Sequence, residues 1–126
     1  MDIDSIIGIL GHQTKIVEKK DTATHFGSGL ANVYATPAMI ALMEKTAFTS
    51  IEHMLPNEFS TVGIFIKAHH IKASLPGAII TCKSEVIKVD NKKIYFNISA
   101  SDENGVIGEC EHTRYLINSE EFIKNL

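Results

Sequence analysis

The chain of 126 residues has no tryptophan, three prolines, two cysteines and only 7% aromatic residues. It lacks any unbroken apolar run of the roughly 18 residues a membrane-spanning helix requires. Twelve Lys and Arg against fifteen Asp and Glu give a formal net charge of −3, with the basic residues scattered. That balance offers no electrostatic footprint for nucleic acid or anionic lipid, so neither is expected as a partner. Cys82 and Cys110 have no CxxC spacing, which argues against a metal knuckle or redox motif and for buried small residues in a reducing compartment. Met1–Gly11 carries neither a basic start nor a small-residue cleavage site, and a cytoplasmic location is expected.

What is present is an ordinary globular composition, 44% apolar and 21% charged, sized for one core. Residues 1–126 are therefore read as a single domain. A first strand is expected around Gly11–Lys20, then a polar loop over Thr22–Asn32. Thr36-Pro37 predicts a helix start, since threonine caps free amides and proline is tolerated in the first turn; the helix should run to about Met54. Four β-branched, alternating runs follow, at about Ser60–Ala73, Ala78–Val89, Lys92–Ser101 and Val106–Ile117. Leu75-Pro76-Gly77, Val89-Asp90-Asn91 and Asn104-Gly105 supply the turns. A short terminal helix should begin at Asn118 or Ser119. One long helix followed by an antiparallel meander predicts an α+β fold of the hot-dog type, a five-stranded sheet wrapped around the helix. Its open edge and apolar face call for a homodimer that continues the sheet, with pairing into tetramers left open.

Three residues stand out chemically. With Ile40 as zero and about 100° per residue, Ile40, Ala47, Phe48, Ile51 and Leu55 form an apolar stripe with Glu44 in its middle, and Lys45, Thr46, Thr49, Glu52 and His53 fall on the opposite, solvated side. A carboxylate on a buried face needs a partner or a task. On the first meander strand, Val62, Ile64, Ile66, Ala68 and His70 share a face by alternation, and His69 points away. Thr36 has two readings, a simple cap or a hydroxyl beside amides that hold a developing oxyanion. Gly63 interrupts a β-branched strand, as a bulge or a close ligand approach would. A zinc or iron site from His69, His70 and His112 is disfavoured because adjacent strand residues face opposite ways.

The run Val33-Tyr34-Ala35-Thr36-Pro37-Ala38-Met39-Ile40-Ala41-Leu42-Met43-Glu44, with Thr61-Val62-Gly63, Ala68-His69-His70, Leu75-Pro76-Gly77 and Gly108-Glu109-Cys110-Glu111-His112-Thr113-Arg114, resembles the fluoroacetyl-CoA thioesterase-like family of hot-dog proteins. The resemblance spans about residues 30–117. It implies hydrolysis of an acyl-CoA thioester at a dimer interface, with Thr36, Glu44 and His70 as the catalytic set and Gly63 and Arg114 near the substrate. It implies no metal and no cofactor beyond the CoA of the substrate. The specialised enzyme's aromatic lid has no counterpart in Gly27-Ser28-Gly29-Leu30, where Phe26 is the one nearby aromatic, so selectivity for a fluorinated acyl group is not expected. Rival expectations are an acyl-CoA binding or sensing module without activity and a hot-dog hydratase acting on enoyl or hydroxyacyl thioesters. The carrier, CoA or acyl-carrier protein, is left open.

Overall fold

A computed structural model describes residues 2–126. Five strands form one antiparallel sheet: β1 (Leu10–Ile16), β2 (Phe59–His70), β3 (Ile79–Asp90), β4 (Lys93–Asp102) and β5 (Gly105–Asn118), in the spatial order β1-β3-β4-β5-β2. Three helices accompany them: a single turn, α1 (Ala23–Phe26), the long α2 (Thr36–Glu52) and the terminal α3 (Ser119–Lys124). The sheet wraps α2, which packs against all five strands. This is the hot-dog arrangement. No helix among the described residues is long and apolar enough to cross a membrane.

The meander is built by local chemistry. Asn91 adopts a left-handed φ of 56° between β3 and β4, and Gly105 sits at φ 126° at the start of β5, conformations that Asn and Gly tolerate best. Inward alternation along β3 buries Ile80, Cys82, Ser84 and Val86, and along β4 Ile94, Phe96, Ile98 and Ala100. Against them α2 presses Met39, Met43, Ala47 and Ile51, all at 0% exposure. Each of the larger apolar side chains among these, such as Met39, Ile51 or Phe96, contributes roughly 1.5–3 kcal/mol on leaving water. α3 begins where expected, with the Asn118 side chain accepting from the Glu121 amide at 3.2 Å.

Several expectations shift. The first strand ends at Ile16 rather than Lys20, because Lys19–Asp21 turn into a 3-10 segment closed by a capping box of Glu18 and Asp21. The loop over Thr22–Asn32 contains the turn of α1, closed by Gly27 in a left-handed conformation. The buried face of α2 is rotated from the stripe described above: Ala38, Met39, Leu42, Met43, Thr46, Ala47 and Ile51 are buried, whereas Ile40 and Phe48 are half-buried. Thr46, expected on the solvated side, is fully buried because its hydroxyl donates to the Leu42 carbonyl at 2.7 Å and needs no water. Thr49 and Glu52, expected there too, are half-buried. Glu44 consequently lies on the flank of the helix rather than in the middle of its buried face.

β2 departs from simple alternation. Gly63 opposes Arg114 and Phe65 opposes Thr113, so Ile64 is an extra residue in a β-bulge. The bulge reverses the parity of the strand. Thr61 and Gly63 face inward before it and Ile66, Ala68 and His70 after it, and Ile64 is left 50% exposed. Val62 and Ile64 therefore do not share the His70 face.

Candidate active site

Two polar clusters lie where α2 packs against β2 and β5. At its N-terminal end, α2 starts from Ala35 as N-cap, so Thr36 is the first helical residue and Pro37 the second. Thr36 does not cap the helix, contrary to the simpler of its two readings. Its hydroxyl oxygen lies 2.8 Å from Nδ1 of His70, at the far end of β2. The first helical hydrogen bond is Met39 N–H to the Ala35 carbonyl, which leaves the amides of Thr36 and Ala38 at the positive end of the helix dipole without helical acceptors. Tyr34 stands edge-on to the His70 ring with centroids 6.4 Å apart. Burial lowers the His70 pKa from 6.5, opposed by the backbone of Lys72. The neutral imidazole is thereby favoured.

About two helical turns further on, ~12 Å along the axis, Glu44 meets β5. Its Oε2 lies 3.6 Å from Nη1 of Arg114. Arg114, which had a plain alternative as a surface strand residue, is 7% exposed. Its guanidinium is held by Thr61, with Nε donating to the hydroxyl at 2.8 Å and Nη2 to the carbonyl at 3.0 Å. Nη1 also lies 3.1 Å from Nε2 of His112, and the guanidinium carbon sits 5.7 Å from the centre of the Phe48 ring. Burial pulls the Arg114 pKa below the ordinary guanidinium value, opposed by the charges of Glu44 and Glu52. The buried cation is thus compensated by carboxylates from α2.

Gly63 explains how the carboxylate reaches this strand. A Cβ there would lie 2.8 Å from Glu44 Oε2, 3.2 Å from His112 Cε1 and 3.4 Å from Arg114 Nη1. Only a glycine lets the carboxylate sit here without displacement; the bulge expected at Gly63 is present, and the group that comes close to it is the Glu44 side chain rather than a ligand.

Of the expected residues, Thr36 and His70 are brought into direct contact, and so are Glu44, Gly63 and Arg114. Among the described residues Glu44 forms no hydrogen bond or ion pair with Thr36 or His70, so within one chain the three do not make a contiguous triad. His69, on the outer face of β2, is exposed, whereas His112 is 2% exposed on the inner face.

A family model for fluoroacetyl-CoA-specific thioesterases matches residues 17–120. The chain belongs to this family. A fluoroacetyl-CoA thioesterase from Streptantibioticus cattleyicolor is 30% identical over 90 residues, 71% of this chain and 65% of that protein. The match therefore spans just under two thirds of that relative's length. The solved fluoroacetyl-CoA thioesterase FlK superposes with a TM-score of 0.89 at 25% identity, covering 94% of this chain and 93% of that one. A hot-dog-like protein from Thermanaerovibrio acidaminovorans shares the fold, with a TM-score of 0.91 at 23% identity over 99% of this chain and 94% of its own.

In this member of the fluoroacetyl-CoA-specific thioesterase family, the segment that carries the site is contained in the matched region, from Thr36 to Arg114. Sequence reasoning missed Thr61, Phe48 and His112 as neighbours of the carboxylate. The signal for His112 was its place two residues before Arg114 on one strand, which puts both side chains on the same face. Thr61 carried a comparable clue, two residues before Gly63.

Proposed function

We propose that the chain hydrolyses acyl-CoA thioesters to free acid and CoA, with Thr36, Glu44 and His70 as catalytic residues. The observation that carries this reading is a carboxylate, Glu44, packed against Gly63 and facing Arg114, on the same helix whose N-terminus holds a Thr36–His70 pair. Family membership supports it, as does the structure of a variant of the relative FlK in complex with fluoroacetate and CoA. Thr36 and the first-turn amides of α2 hold the thioester carbonyl and the charge that develops on its oxygen. Glu44 either activates water or attacks the carbonyl carbon to form a mixed anhydride that water then opens. With its proton on Nε2, His70 accepts the Thr36 hydroxyl hydrogen bond at Nδ1 and is placed to assist protonation of the leaving thiolate. Gly63 and Arg114 lie beside the acyl-binding space, and the reaction needs no metal or added cofactor.

The working unit of this reading is a cytoplasmic homodimer with the site at the junction of two copies. Support comes from the unpaired edge of β2, where Ile64 and Phe65 are about half exposed, and from Glu44, whose side chain is 42% exposed in the single chain. The test is release of free thiol from acetyl-, isobutyryl-, benzoyl- and palmitoyl-CoA by wild type and Glu44→Gln. Turnover of at least one ester, lost by about 10³-fold in the variant, is the expected result. CoA-ester binding without thiol release would instead identify a sensing module.

A further inference from the structure

We propose that His112 is a positioning residue for Glu44, acting through Arg114: its Nε2 tethers the guanidinium so that the cation faces the carboxylate without closing onto it. This inference rests on the catalytic reading of Glu44 given above.

The tautomer of His112 follows from its partners. Nδ1 lies 2.8 Å from the Phe65 carbonyl, which can only accept, so Nδ1 carries the proton. Nε2 then has a lone pair, and the Arg114 Nη1–H donates to it at 3.1 Å. The ring is stacked on Phe96, with centroids 6.1 Å apart and planes at 30°, and is 2% exposed, so it has little freedom to move. Burial lowers its pKa from 6.5 and the charge of Arg114 adds to that, which keeps the lone pair available. Phe65 is the residue just past the bulge. One imidazole therefore ties the bulge beside Gly63 to the guanidinium that meets Glu44.

Together with the two bonds to Thr61, the His112 contact engages all three nitrogens of the guanidinium. Glu44 Oε2 is left at 3.6 Å, beyond hydrogen-bond distance. A guanidinium released from His112 is drawn onto the carboxylate, because a charge-assisted bond near 2.8 Å is stronger than one to a neutral acceptor. A carboxylate so engaged is a poorer base and a poorer nucleophile. The groups in electrostatic reach of Glu44 are Arg114, His112 and Cys110 on β5, and Glu52 on α2 acts on the same arginine.

Kinetics of His112→Asn, His112→Gln and Thr61→Val, on whichever CoA ester of the panel turns over fastest and with Glu44→Gln as reference, test the tether. Asparagine retains a donor for the Phe65 carbonyl but has no acceptor at the Nε2 position, whereas the longer glutamine places its carbonyl oxygen there and loses the Phe65 bond. The expected result is kcat lower by about tenfold in His112→Asn with KM changed less than about twofold, and most of that loss recovered in His112→Gln. A ring that merely fills space or pins the bulge predicts the reverse, glutamine no better than asparagine, and that order overturns the inference. Thr61→Val removes the other side-chain acceptor of Arg114 at nearly constant volume and decides the matter should the His112 variants not fold; it too should lower kcat about tenfold. Wild-type kcat in Thr61→Val or His112→Asn, beside an inactive Glu44→Gln, overturns the tether alone. Full turnover by Glu44→Gln removes the catalytic reading and the tether with it.

Discussion

Replacing Gly63 by alanine separates catalysis from folding at a single methyl group. The added Cβ would sit 2.8 Å from Glu44 Oε2, whereas ordinary contact begins at 3.4 Å, so the carboxylate must withdraw by about 0.6 Å. A displacement of 1 Å in a catalytic group can cost on the order of 10²-fold, and 0.6 Å scaled the same way costs roughly 15-fold, or about 1.6 kcal/mol of barrier. The fold should change little. Gly63 does not have a left-handed backbone, the nearest atom displaced is the far end of a flexible side chain, and the gain from alanine's narrower unfolded ensemble is offset by a tight 3.2 Å contact with Cε1 of the packed His112 ring. Stability should therefore change by less than about 1 kcal/mol, a shift of a few degrees in Tm for a domain of this size. Thiol release under saturating acyl-CoA, paired with a thermal melt, reads both quantities. Turnover equal to wild type would refute the argument that this contact sets the position of Glu44. A fall in Tm of about 10 °C or more alongside the lost activity would assign the effect to packing instead.

Two further outcomes follow from the same geometry. Thr36→Val removes the hydroxyl that meets His70 at 2.8 Å and should lower kcat by roughly 10²-fold with little change in Tm, since Thr36 is exposed; Thr36→Ser should retain most activity, and equal rates for valine and serine would rule out a role for the hydroxyl. Stability should fall as pH drops below about 6.5, because His70 and His112 have pKa values depressed by burial, so the unfolded chain takes up protons before the folded one does. The loss develops between 6.5 and the lower folded-state values, and urea midpoints across pH 5 to 8 measure it; a flat profile would contradict the buried environment of both rings.

The element order, the turns and the faces of β3 and β4 were legible in the sequence because each depends on local pattern: alternation, Pro-Gly and Asn-Gly signals, and an Asn cap at α3. The orientation of α2 was not, since a wheel drawn from Ile40 and Phe48 left out Met39, Leu42 and Met43, the side chains on which the sheet closes. Thr46 misled separately, being polar by type but self-satisfied through Leu42. In β2 the single extra residue, Ile64, moved Val62 off the His70 face, and only the register with β5 reveals it. Thr36, Glu44, His70, Gly63 and Arg114 were found from motif and spacing. Their division into two clusters, and the place of His112 and Thr61 in one of them, depend on contacts between strands distant in sequence.

The strand order also dictates when the two polar clusters can assemble during synthesis. β1 and α2 emerge from the ribosome first and β2 soon after, but β1 pairs with β3, in a register that sets Leu10 opposite Glu85, and β2 with β5, which sets Phe59 opposite Asn118. Until β5 is out, β2 has no neighbour within the chain and the apolar face of α2 has only a partial sheet to cover it. Closing so long a loop is slow compared with forming the β3–β4–β5 hairpins. The nascent chain therefore carries its reactive residues on an uncovered helix and a bare strand edge from the emergence of β2 until that of β5, a stage at which it is exposed to chaperones and to its own siblings on a polysome.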